Sequence, residues 1–168
     1  MSDEFFYKEI SPEAVDSRVR AVAEKVLSYC KGALGLQDKI KIQWVEETDR
    51  ASANLDNSFV KLEKALRRMI GDCSEVKILY RKDNSPFYGQ MGGTGWLRDK
   101  IMVRADVQLR EILLTVAHEL KHISDFGPNG KYRPPLSPEE CKLAEQRAEH
   151  FAGMILERMK YTEDLKIF

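Results

Sequence analysis

The chain has 168 residues, 43% hydrophobic and 32% charged, a balance that excludes a disordered tail and suits one domain with a real core. Its 27 lysines and arginines are matched by 27 aspartates and glutamates, so no net field draws it to nucleic acid or to an anionic membrane. No apolar run approaches a membrane span, and the acidic, polar start "MSDEFFYKEISPEA" has neither the basic nor the apolar region of a signal peptide.

In chain order, "SPEA" offers Ser11 as a cap and Pro12 at the first helical position. Val15, Val19, Val22, Val26 and Tyr29 then recur at helical spacing, and Gly32 and Gly35 end the helix. "KIKIQWVEE" alternates Ile40, Ile42 and Trp44 with Lys41 and Gln43, the pattern of a half-buried strand. Leu55, Phe59, Leu62, Leu66 and Met69 predict a second helix. "EVKILYRKD" predicts a second strand, "SPFYGQMGGTG" a turn-rich connection, and "WLRDKIMVR" a third strand ending near Arg104 and antiparallel to the second. Leu109, Ile112, Leu113, Val116, Leu120 and Ile123 mark a third helix over residues 107–126. A fourth begins near "SPEE", with Ser137 as its cap and Pro138 in its first turn. The three cysteines, Cys30, Cys73 and Cys141, are odd in number and far apart, which predicts reduced thiols in a cytoplasm rather than a disulfide framework. A single domain over residues 1–168 accommodates all of this, with no repeat or linker to divide it.

Two of the three histidines fall in "HELKH", inside the third helix. Residues four apart stand one turn above each other on one side of a helix, so His118 and His122 can hold one metal ion between them, with Glu119 beside it as a base. A site that keeps a position open for water needs a third protein ligand. Walking the last helix in steps of three and four gives Cys141, Glu145, Ala148, Ala152, Ile155 and Met159. Glu145 is the acid in a face that should be buried, where a carboxylate costs several kcal/mol unless paired or coordinated. Glu149, one turn on, is placed to accept a hydrogen bond from the outer nitrogen of a ligand histidine. Cys141 and Asp125 are alternative third ligands, and Asp125 is also placed to orient His122. His150 is rotated well off the face of Glu145 and is read as a surface histidine. Tyr88, Tyr132 and Arg133 are candidate donors to an oxyanion.

"HELKH" followed by "EQRAEHFAGMILERM" resembles the ImmA/IrrE family of zinc metallopeptidases, through Glu145, Ala148, Glu149, Phe151 and Ala152. Lys121 stands where that family often has glycine, and Glu149 where it has asparagine or aspartate. The resemblance covers mainly residues 96–156. It implies an α+β, minimal zincin-like fold, here a small, mostly antiparallel sheet of about three strands with four helices. It also implies a zinc-dependent peptidase acting on a peptide or protein. Zinc bound by His118, His122 and Glu145 would activate a water, with Glu119 taking its proton and passing it to the leaving amine. Two rival readings are a zincin-like scaffold that binds metal without catalysis and a metal-free protein in which "HELKH" is accidental. Intact Glu119 weighs against the first rival.

Overall fold

Strand β2 (Lys41–Thr48) carries the alternation read above, and its register shows which residues meet. It pairs in parallel with β4 (Lys100–Arg104), so that Ile42 lies opposite Ile101 and Trp44 opposite Val103. These four share one face of the sheet, and Trp44, Ile101 and Val103 join the core beneath the helices. The computed structural model describes residues 6–36, 39–48, 89–90, 100–125, 131 and 137–160. Strand β1 (Phe6–Glu9) runs antiparallel to the outer side of β2. Strand β3 (Gly89–Gln90) runs antiparallel to β4, giving the order β1-β2-β4-β3.

The fold is therefore α+β, with antiparallel pairings at both edges and a parallel pair in the middle. A parallel pair requires a crossover between its strands. The predicted helix over residues 55–69 and the strand "EVKILYRKD" fall between β2 and β4 in the sequence and lie outside the described residues. Gly89 and Gln90, read as turn material, pair instead with Val103 and Met102. The second face of the sheet is closed too, since Val45, Met102 and Arg104 are buried. Arg104 grips the Asp106 carboxylate through Nε at 2.9 Å and Nη2 at 2.8 Å.

Three α-helices are present among the described residues: α1 (Ser17–Leu34), α2 (Leu109–Asp125) and α3 (Pro138–Lys160). The first starts later than its local signals suggest. Pro12–Ala14 forms a single 3-10 turn in which Ser11 makes no side-chain cap. Val15 then turns extended and buries its side chain, and the helix restarts behind Asp16, whose Oδ1 accepts the Arg18 N–H at 2.8 Å. Burying one valine has overridden a good cap.

The inward face of α1 is Ala23, Val26, Leu27 and Cys30, rotated from the predicted valine stripe. Val19 and Val22 are only partly buried and Tyr29 is 38% exposed, because small Ala23 and Cys30 allow the closer approach. Gly35 ends the helix at φ 65°, where a side chain would be strained, and Leu36 N–H closes on the Lys31 carbonyl at 2.9 Å.

Helix α2 packs against α1, α3 and the sheet, which accounts for its almost continuous burial. Helix α3 opens with a reciprocal cap: Glu140 N–H donates to Ser137 Oγ at 3.2 Å, and Ser137 N–H donates to Glu140 Oε1 at 3.1 Å. Its predicted stripe is buried at every position, from Cys141 through Glu145, Ala148, Ala152 and Ile155 to Met159.

Candidate metal centre

The seam between α2 and α3 brings together three groups from "HELKH" and the stripe of α3. His118 and His122 stand one turn apart on α2, with ring centroids 4.7 Å apart and ring planes at 81°. Their Nε2 atoms are 3.0 Å apart. Glu145 of α3 faces both, with Oε2 3.0 Å from His118 Nε2 and Oε1 2.9 Å from His122 Nε2. All three donors lie within 4.8 Å of one another, and Glu145 is 4% exposed.

Hydrogen bonds alone do not satisfy this triangle. A neutral imidazole carries one N–H, on either nitrogen. If both Nε2 atoms carry it, two donors face each other at 3.0 Å; if one lacks it, a lone pair faces a carboxylate oxygen. A cation between the three resolves every contact. Donors around a four-coordinate ion at zinc's bond lengths stand about 3.3 Å apart, so the triangle need open only slightly to admit one.

Glu119 supplies an independent sign. It is 1% exposed, and its Oε2 has no hydrogen-bond partner among the described residues. An ionised carboxylate left so in a core is costly, and a bound ion with its water would relieve it. On the helical wheel it lies about 60° from His122, on the side away from His118. The residues thus fit a divalent metal ion, held by two imidazoles and one carboxylate.

The remaining candidates fall elsewhere. Glu149, read from the sequence as supporting a ligand histidine, is exposed. The buried face of α3 centres near Ala148 and Ala152, and a residue four after Glu145 is rotated about 40° further from that centre, into solvent. His150 is exposed, as expected. Cys141 is buried and disulfide-bonded, so it offers no thiolate to a metal, and the expectation that all three thiols are reduced fails at this position. Tyr88, Tyr132 and Arg133 lie outside the described residues.

Asp125 is not a ligand either. It is 3% exposed and holds two cations. Arg147 of α3 donates through Nε to Oδ2 at 3.1 Å and through Nη2 to Oδ1 at 3.3 Å, and Lys121 Nζ lies 3.1 Å from Oδ1. Burial pushes this carboxyl up, but the hydrogen bonds and charges of Arg147 and Lys121 outweigh it and hold it below the ordinary aspartate value. Lys121 Nζ also sits 5.7 Å above the Phe151 ring of α3. The roles of Arg147 and Lys121 were missed in the sequence because Asp125 lies on the side of α2 opposite the apolar stripe that runs from Leu109 to Ile123, so the periodicity does not mark it as buried.

Comparison with protein-family models, with curated proteins and with solved structures returned no match. Among the described residues, no helix is long and apolar enough to cross a membrane.

Proposed function

We propose that the chain is a zinc-dependent metallopeptidase that hydrolyses peptide bonds in a peptide or protein. The observation that carries this reading is the convergence of His118 Nε2, His122 Nε2 and a Glu145 carboxylate oxygen, with Glu119, next to His118 on α2, burying an Oε2 that has no hydrogen-bond partner among the described residues. Two nitrogens and one carboxylate form a donor set suited to zinc, and three protein ligands leave a fourth position open. A zinc ion held there supplies Lewis acidity toward a water and toward the carbonyl of the scissile bond.

The protein's own groups do the rest. Glu145 and the two histidines would hold the ion where α2 meets α3. Glu119 Oε2 accepts a proton from the attacking water and delivers it to the departing amine. Burial of the site keeps competing water away from that carboxylate. The resemblance of "HELKH" and "EQRAEHFAGM" to the ImmA/IrrE peptidases supports the same reaction. Reduced thiols would fit a cytoplasmic setting, and the disulfide at Cys141 removes that support.

The test is Glu119→Gln, with metal content and cleavage of a diverse peptide library measured together. The proposal expects full zinc loading and cleavage lowered by about 100-fold or more. Undiminished cleavage would show that Glu119 is not the base. Zinc loading of the unaltered protein with no cleavage of any peptide would favour the metal-binding module instead.

A further inference from the structure

We propose that the Asp125–Arg147 ion pair is the register clamp of the metal centre: it fixes how far α3 slides along α2 and so keeps Glu145 within reach of both histidines. The inference rests on the reading of His118, His122 and Glu145 as metal ligands.

The buried face of α3 near the site is Ala144, Ala148 and Ala152. Small side chains let helices approach closely but present low ridges, so they set the distance between the axes better than the position along them. Glu145 must nevertheless meet two imidazoles at once, and a slide of one residue, about 1.5 Å, would take its carboxylate from both.

The clamp sits where it controls that slide. Asp125 is three residues beyond His122 on α2, and Arg147 is two beyond Glu145 on α3, so each end lies within one turn of a ligand. The contact is two-pronged, Nε to Oδ2 and Nη2 to Oδ1. A guanidinium fork on a carboxylate constrains direction as well as distance, which a single point charge does not. The Asp125 side chain is 4% exposed and the Arg147 side chain 37%, so the acid is anchored in the seam while the arginine reaches it from the rim. Lys121 adds a second rung, with Nζ bound to Asp125 and set over Phe151 of α3. Lys121 and Asp125 are four apart on α2, as Arg147 and Phe151 are on α3, so the two rungs are spaced one turn apart along both helices. An ion pair with one buried partner adds little net stability compared with apolar residues of the same size, and fixing register is the best-attested reason for keeping one.

Four proteins test it: Asp125→Asn, Arg147→Met, Arg147→Lys, and the double variant Asp125→Leu with Arg147→Met. Zinc affinity is measured by competition with a chromogenic chelator, ligand geometry by the visible bands of the cobalt-loaded protein, and stability by apo-protein melting. The clamp predicts that the first two variants bind zinc about 10-fold more weakly and show altered cobalt bands, with Arg147→Lys intermediate. The double variant, with an apolar pair in place of ions, regains the apo melting temperature but not the zinc affinity. Zinc affinity that returns together with stability in the double variant would reduce the pair to a structural contact and overturn the proposal, as would single variants with unaltered affinity and cobalt bands. If the unaltered protein binds neither zinc nor cobalt, the ligand reading itself falls and the clamp with it.

Discussion

Glu145 and His122 face each other across the α2–α3 seam, carboxylate Oε1 2.9 Å from imidazole Nε2, while the other oxygen of the same carboxylate lies 3.0 Å from His118 Nε2. One side chain of α3 thus answers two of α2. Glu149, one turn along α3, is exposed and answers neither. Glu145→Ala should weaken zinc binding by about 10-fold or more, as expected when a ligand rather than a supporting residue is removed. Glu149→Ala should leave zinc affinity unaltered. Chelator competition on the two proteins side by side checks both, and equal losses would mean that Glu149 supports the site after all.

The legible parts of this molecule were those governed by fixed helical spacing. The stripe of α3 is buried at every position read from the sequence, and Glu145 stood out because an acid among apolar residues demands a partner. His118 and His122 followed from the same rule on α2. What the sequence hid depends on where one element lies against another. Nothing near Asp125 names Arg147 as its partner, since the pair forms only once the two helices take their register. Glu149 was misplaced because a spacing of four puts a residue on one side of a helix without saying where the centre of the buried face falls. The parallel pairing of β2 with β4 was hidden for a related reason: a strand's alternation shows which face it buries, not which neighbour it takes. At the start of α1 a local rule lost to packing: Ser11 and Pro12 have the residue types of a good cap, but Ser11 makes no side-chain cap, only a 3-10 turn follows, and Val15 is drawn into the core.

The reciprocal cap at Ser137 and Glu140 starts the helix that carries Glu145, yet lies two turns before it. Ser137→Ala leaves the Glu140 N–H without its acceptor and should cost about 1 kcal/mol. For a protein of this size that lowers the melting temperature by about 2–4 °C. Zinc content at saturation should not change. Calorimetry with metal analysis checks both, and a loss of zinc would show that the metal centre depends on the first turn of α3.

Cys30 is a free thiol buried on the inward face of α1, and burial alone pushes it up to about 12. The reactive species is the thiolate, so this cysteine should resist iodoacetamide at pH 8 in the folded protein and react at once when the chain is unfolded. Peptide mapping after alkylation under both conditions reads the difference. Rapid labelling of Cys30 in the folded state would mean that the core beneath α1 opens readily.

Asp125 provides a test in acid. Its carboxyl is held below the ordinary aspartate value of 3.8, the contacts with Arg147 and Lys121 outweighing the effect of burial. A depressed acid contributes stability that is complete above its unfolded value and is lost as pH falls through its folded one. Arg147 and Lys121 keep their charge throughout that range, so only the carboxylate changes. In the metal-free protein, Asp125→Asn should therefore be less stable than the parent by about 1–3 kcal/mol at pH 6, the cost of a charged hydrogen-bonded partner lost in a buried place. That gap should hold steady down to about pH 5 and close as the pH falls below the ordinary aspartate value, because the parent then loses by protonation what the variant lacks already. Urea unfolding of both proteins from pH 7 to pH 3 gives the gap directly, and the other acids cancel in the difference. A gap that stays constant or widens toward pH 3 would mean that the Asp125 carboxylate is not what holds α2 to α3.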